Sequence, residues 1–215
     1  MDINHYIDHT NLRSDATISD IEKLCKEAVE YNFHSVCVNP IFVNQTKEIL
    51  HDSGVKICSV VGFPIGASYT EIKIAEAARA NAEGADEIDI VANIGWLAES
   101  NQYQVIKELA EIKRRLTSST IVKVIIETPI LSEKVWEETV RALIRARVDF
   151  VKTATGFNGP TPLSHIKTLK KYCGDDIKIK AAGGIKTRKD AEAMIEAGAD
   201  RIGSSSSVQI IDPNK

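Results

Sequence analysis

Ile121-Val122 and Val124-Ile125-Ile126, on either side of Lys123, read as one strand whose two faces are both apolar outside that lysine. Successive side chains of a strand point to opposite sides of the sheet, so a strand with one wet face would alternate apolar and polar residues. Burial on both faces is expected of a parallel sheet covered by helices. The flanking segments agree, because Gln102–Leu116 and Glu133–Ala146 carry helical periodicity. Outward from this unit the alternation continues to both ends of the chain. Further strands are expected at Tyr6–Thr10, His34–Val38, Val55–Val61, Glu87–Val91, Asp149–Thr153, Ile177–Ala181 and Arg201–Gly203, with the quoted strand extending to Glu127. Helices are expected at Ile18–Tyr31, Val43–Leu50, Thr70–Ala82, Leu163–Tyr172 and Arg188–Ala197.

Eight strands with intervening helices fit an α/β architecture, a (β/α)8 TIM barrel of one domain spanning residues 1–215. The chain is shorter than the ~250 residues typical of that fold, and the few residues after the last strand leave room only for a short final helix. An open doubly wound sheet would use the same local signals. Chemistry-bearing residues at the strands' carboxyl ends favour the barrel. Ser19/Glu22, Ser68/Glu71 and Thr187/Asp190 match the spacing of a capping box, which satisfies free amides at a helix start. Glu83-Gly84-Ala85-Asp86 and Ala197-Gly198-Ala199-Asp200 place glycine where a left-handed helix cap belongs, and Arg147-Val148-Asp149 echoes them without the glycine.

Composition excludes several classes of function. Hydrophobic residues make up 43% of the chain and charged residues 27%, which argues against disorder. A net charge of −3 does not suggest a nucleic acid or a polybasic membrane contact. No apolar run approaches the ~20 residues of a membrane span, and the N-terminus lacks a signal-peptide pattern. A cytoplasmic protein is expected. Cys25, Cys37, Cys58 and Cys173 are scattered and read as reduced thiols. The five histidines form no metal-ligand spacing, so a metal-free mechanism is expected.

Four elements bear chemistry. Asp149 to Phe157 holds Lys152 at the carboxyl end of an apolar strand, where barrels place catalytic groups. An ordinary lysine, with a pKa near ~10.4, is protonated at neutral pH and is not a nucleophile; burial or a neighbouring cation can free the amine to attack a carbonyl. Alone, Lys152 would read as a side chain snorkelling to solvent. The next strand, however, ends in Lys180, and neighbouring strands lie ~4.8 Å apart. The two ammonium groups would then repel, giving one of them a route to neutrality. Lys178 sits nearer the strand start and reads as structural or solvated. In Glu87-Ile88-Asp89, Asp89 is flanked by isoleucines and is expected to point into the barrel mouth toward the lysines, since an unpaired buried carboxylate is costly; a structural salt bridge fits it as well as a catalytic role, and Asp86 and Glu87 read as solvated. Finally, Gly183-Gly184 and Gly203-Ser204-Ser205 follow the last two strands, the recurrent phosphate site of barrels. Weaker candidates are the loop Val60 to Ala67, Cys37 as a small buried strand residue, and Asp8, His9 and Thr10 at the end of the first strand.

Together these passages resemble the deoxyribose-phosphate aldolase family over nearly the whole chain. The matching segments are Ile7–Thr10, Val36–Pro40, Val60–Ala67, Glu87–Asp89, Lys123–Thr128, Phe150–Phe157, Lys180–Ile185 and Arg201–Ser205. The resemblance implies reversible cleavage of 2-deoxy-D-ribose 5-phosphate to glyceraldehyde 3-phosphate and acetaldehyde. It implies a Schiff base on Lys152, Lys180 as the residue that perturbs it and relays protons, and Asp89 as an acid/base working through water. Gly183, Gly184, Gly203, Ser204 and Ser205 would hold the phosphate, with Thr155 among the substrate-binding residues. No cofactor is implied, and the partner is a small phosphorylated sugar; a homo-oligomer stays open. The tail Val208–Lys215 lacks the C-terminal tyrosine that some relatives use. Two other readings keep part of this pattern: a barrel enzyme forming a Schiff base with a different phosphosugar, and a non-catalytic sugar-phosphate sensor, which has no need of Lys152, Lys180 and Asp89 together.

Overall fold

Eight short β-branched runs pair side by side, all parallel and in chain order, and the last closes on the first. They are β1 (Ile7–Asn11), β2 (Ser35–Val38), β3 (Lys56–Val61), β4 (Glu87–Val91), β5 (Ile121–Ile125), β6 (Phe150–Lys152), β7 (Lys178–Ala182) and β8 (Arg201–Ser204). The computed structural model describes residues 2–214, so Met1 and Lys215, the ends of the expected domain, lie outside the described residues. The helices are α1 (Ile18–Glu30), α2 (Val43–Ile49), α3 (Thr70–Glu83), α4 (Ile94–Ala98), α5 (Gln102–Lys113), α6 (Glu133–Arg145), α7 (Leu163–Cys173), α8 (Arg188–Glu196) and the short α9 (Ser207–Ile211). The closed barrel decides against the open sheet. Only α4, too short for a periodic signal, was not expected. Among the described residues no helix is long and apolar enough to cross a membrane.

The strand pleat sorts the side chains. Ile88, Ile90, Val122, Val124, Val151 and Ile179 belong to the apolar core, between barrel wall and helices. The alternate positions Glu87, Asp89, Lys123, Lys152 and Lys180 turn inward and pair with one another inside the barrel, between neighbouring strands and more distant ones. The interior is therefore charged where many barrels pack branched aliphatic layers.

Local signals resolve unevenly. Thr187/Asp190 forms the expected capping box, with reciprocal bonds at the start of α8. The box at α1 uses Thr17 and Asp20, not Ser19/Glu22, because the extended backbone that defines the cap lies at Thr17. Ser68/Glu71 forms none: α3 follows Tyr69 with no side-chain cap. The three echoed passages share a purpose. The Oδ2 atoms of Asp86, Asp149 and Asp200 accept from the amides of Ile57, Val122 and Ile179 at 2.8–2.9 Å. Each aspartate thus stitches the entrance of one strand to the strand before it. Before two of them the chain turns through a left-handed glycine, Gly84 or Gly198; Arg147 takes that conformation at φ 53° in the third.

Candidate active site

Adjacent strands place Lys152 directly opposite Lys180, as Cα partners in the register of β6 and β7. Both amines donate to the same atom: Asp89 Oδ2 lies 2.8 Å from Lys152 Nζ and 2.8 Å from Lys180 Nζ. The other oxygen, Oδ1, accepts from Lys123 Nζ at 2.8 Å. Asp89 is fully buried, as expected for a residue between isoleucines whose strand face is the barrel interior. The sequence expectation is amended in one respect. The two ammonium groups do not merely crowd each other, because a carboxylate oxygen bridges them.

Further ions complete the cluster. Lys180 also pairs closely with Asp8. Arg201 Nη1 reaches Asp8 Oδ1 at 2.9 Å and Glu87 Oε2 at 3.3 Å, and Ser35 Oγ donates to Asp8 at 2.7 Å. Glu87, expected in solvent, is instead buried between Lys123, Arg201 and His34. The reason is register: the strand's first residue shares the inward face with Asp89, and a closed barrel has no solvent there. Lys178, by contrast, is exposed at the opposite end of its strand, over the Phe150 ring.

Four cations, Lys123, Lys152, Lys180 and Arg201, therefore meet three carboxylates, Asp8, Glu87 and Asp89. Burial opposes ionisation of Asp89, but the ammonium groups of Lys123, Lys152 and Lys180 outweigh it and hold the carboxyl well below its usual range. Asp8 is lowered in the same way, against burial, by Lys180, Lys123 and Arg201. Burial would strip Lys180 of its proton, yet Asp8 and Asp89 raise it above the normal lysine value. Glu87 is likewise lowered to about 2, burial being overcome by Lys123 and the His34 hydrogen bond. A depressed carboxylate stabilises the fold above its unfolded value, 4.5, and loses that contribution as pH falls through about 2. Thermal melting from pH 5 to pH 2 should therefore fall less steeply in Glu87→Gln than in the parent; parallel curves would reject this role.

Cys37 and Cys58, scattered in sequence, face each other in the β2–β3 register. With Asp89 they bring three potential ligand atoms within 4.8 Å. Lys123 Nζ already occupies that neighbourhood, 3.3 Å from Cys58 Sγ and 2.8 Å from Asp89. A protein ammonium is thus seated among these ligands, an arrangement that disfavours a cation.

The cluster opens at the strands' carboxyl ends into a cavity of about 540 Å³, where Lys152 is joined by Thr155, Gly183, Gly184, Gly203, Ser204 and Ser205. The expected site residues thus converge, but not with equal roles. Among the described residues the amides of Gly183, Gly184 and Ser205 have no hydrogen-bond partner. The glycines stand at φ 102° and 79°, and a Cβ on Gly184 would come within 2.8 Å of Pro160. Ser205 is exposed. Ser204 is committed internally: its hydroxyl donates to the Ile185 carbonyl at 2.7 Å and accepts from the Ser206 amide. Gly203 turns its missing side chain toward Lys180, whose Cε would sit 3.1 Å from an added Cβ. That glycine makes room for the lysine. Lys186, Arg13 and Lys23, not singled out in the sequence, bring cations to the rim of the same cavity. Phe63, from the loop after β3, also lines it and meets Phe157 edge to face at 5.5 Å.

Comparison with known proteins places these features in context. The family model described as DeoC/LacD family aldolase matches residues 3–209. The chain is 51% identical to the deoxyribose-phosphate aldolase of Caldicellulosiruptor saccharolyticus, over 98% of this chain and 97% of that one. It is 48% identical to the deoxyribose-phosphate aldolase of Thermococcus gammatolerans, over 99% and 96% of the two chains. Among solved structures, an aldolase named QR15 superposes with a TM-score of 0.94 at 39% identity, covering 99% and 96%. A tetrameric deoxyribose phosphate aldolase from Aeropyrum pernix superposes with a TM-score of 0.90 at 32% identity, covering 98% and 89%.

Proposed function

Because the chain belongs to the DeoC/LacD family of aldolases, we propose that it cleaves 2-deoxy-D-ribose 5-phosphate reversibly to glyceraldehyde 3-phosphate and acetaldehyde through an imine on Lys152. The observation that carries this reading is the shared Asp89 oxygen between Lys152 and Lys180 at the floor of the cavity. The surrounding cluster has one cation more than it has carboxylates. Lys152 is the lysine of this cluster that lines the cavity, with a single carboxylate oxygen as partner. Its amine adds to the C1 aldehyde, and loss of water gives a protonated imine. The C3 hydroxyl then surrenders its proton, the C2–C3 bond breaks, and its electron pair moves through C2 to the iminium nitrogen. Glyceraldehyde 3-phosphate leaves. The remaining enamine takes a proton at C2, and hydrolysis releases acetaldehyde and restores Lys152.

Asp89, held ionised, suits the accepting half of an acid/base pair, and Lys180 the donating half. The unpartnered amides of Gly183, Gly184 and Ser205 suit phosphate oxygens, with Lys186 supplying charge. Lys186→Ala is expected to raise KM about tenfold for the phosphorylated sugar and little for free deoxyribose, the scale of one charged hydrogen bond; equal changes for both sugars would reject the phosphate placement. A cytoplasmic location and self-association belong to the same proposal, the latter by extension from the tetrameric relative.

The test is reductive trapping. Acetaldehyde with borohydride should leave an ethyl adduct mapped to Lys152, and none on any lysine of Lys152→Ala. A protein that binds deoxyribose phosphate but traps no aldehyde would be a sensor. The sensor reading is disfavoured because binding alone gives no reason to bury three lysines around one carboxylate.

A further inference from the structure

At the end of β5 the backbone makes an unusual turn. Glu127 stands in the left-handed region at φ 51°, ψ 58°, a conformation that is uncommon for a residue with a side chain. It is fully buried, and among the described residues no lysine, arginine or histidine lies within ion-pair reach of it. A buried carboxylate without a cation is expensive, and a strained backbone persists only where its surroundings demand it. Its neighbours fix the turn on either side. The Ile126 amide donates to the Lys152 carbonyl at 3.0 Å, and the Thr128 amide to the Thr153 carbonyl at 2.8 Å.

The carboxylate is aimed at the loop that follows Lys152. Thr155 donates to it twice, from its amide at 3.1 Å and from its hydroxyl at 2.6 Å. The same hydroxyl oxygen accepts from the Phe157 amide at 3.2 Å. A threonine hydroxyl has one proton and two lone pairs. Here the proton is taken by Glu127 and one lone pair by Phe157. Thr155 lines the cavity with a single lone pair left, whereas Glu127 does not line it. Such an oxygen can accept from a hydroxyl but cannot donate to a phosphate.

We propose that Glu127 is a positioning residue that fixes Thr155 as a hydrogen-bond acceptor, so that this loop recognises a hydroxyl of the sugar chain and not its phosphate. The proposal rests on the aldolase reading of the same cavity, and it separates two recognition surfaces. The glycine-serine loops after β7 and β8 face the phosphate end, and the Glu127–Thr155 pair faces the carbon chain next to Lys152. Glutamine at position 127 keeps the shape but offers an amide that can itself donate to the threonine oxygen, freeing the hydroxyl proton to point elsewhere.

The test compares Glu127→Gln, Thr155→Val, Thr155→Ser and the Glu127→Gln/Thr155→Val pair, using deoxyribose phosphate, free deoxyribose and acetaldehyde. Glu127→Gln should raise KM about tenfold for both sugars, by the same factor, while acetaldehyde trapping on Lys152 proceeds at the parent rate. The double variant should be no worse than Thr155→Val alone, and Thr155→Ser should recover most of what valine loses. An unchanged KM for both sugars overturns the proposal, as does a loss confined to the phosphorylated one. A matching loss of acetaldehyde trapping overturns it too, since it would make Glu127 a general support of the loop. Absence of trapping in the parent protein is a different failure and falls on the aldolase reading instead.

Discussion

Replacing Lys152 with alanine is expected to lower turnover of deoxyribose phosphate by about 10⁴-fold or more, some 5.5 kcal/mol of transition-state stabilisation, while leaving the fold intact. The first half follows from the imine: without an amine there is no electron sink for the C2–C3 bond. No neighbour can stand in. Lys123 and Lys180 are fully buried, Lys123 against Glu87 and Asp89 and Lys180 against Asp8 and Asp89. The second half follows from charge. Lys152 is the surplus cation, so its removal leaves Lys123, Lys180 and Arg201 facing Asp8, Glu87 and Asp89. The melting temperature should therefore stay near that of the parent. Turnover within tenfold of the parent, or an aldehyde adduct found on another lysine, would remove Lys152 from the mechanism. A steep loss of stability would show instead that the charge balance is misjudged.

What the sequence discloses here depends on the range of the signal. Strands and helices were legible because both-face burial and helical periodicity are local patterns, and Ile121–Ile126 contained the first of them without ambiguity. The Lys152–Lys180 contact was also legible, since consecutive parallel strands are neighbours and both lysines end their strands. Asp89 announced itself as a carboxylate between isoleucines. Lys123 did not, although it lies in an equally apolar strand: its partners Asp89 and Glu87 stand on the neighbouring strand β4, but Lys123 sits in mid-strand, and the register that brings it level with Asp89 is not set by either segment's own pattern. Glu87 was misread because a charge at a strand start is solvated in an open sheet and buried only when the sheet closes. The glycine-serine loops were found as a group, but their division of labour was not. That Gly203 accommodates Lys180 and that Ser204 is tied to Ile185 are facts of packing between segments 19 or more residues apart. Glu127 gave no signal beyond its place in the Lys123–Thr128 segment of the family resemblance, because its strain is a backbone property that composition does not encode.

Asp89→Asn is the complementary case, in which activity and stability are expected to fall together. Asparagine keeps the size of aspartate and one acceptor oxygen, but its amide would face ammonium groups where a carboxylate oxygen stood. Four cations would then share two carboxylates, and breaking a buried ion pair from one side costs about 3–5 kcal/mol. Turnover should drop roughly 10³-fold, on the order of 4 kcal/mol, because Lys152 and Lys180 lose the atom that joins them. The pH dependence identifies the cause. In the parent, Lys180 is raised above 10.5, so its pairing stabilises the fold fully below that value and the contribution fades only as pH climbs through the raised one. In the variant the surplus ammonium charge is destabilising wherever the lysines are protonated and is relieved as they deprotonate. Between pH 7 and 10.5 the parent's contribution is therefore constant while the variant recovers, so the stability gap between them narrows over that range. Denaturant unfolding at pH 7 and about pH 9.5 measures it. A gap of equal size at both pH values would mean that asparagine fails for reasons of shape, and that charge repulsion among the lysines does not govern this barrel's interior.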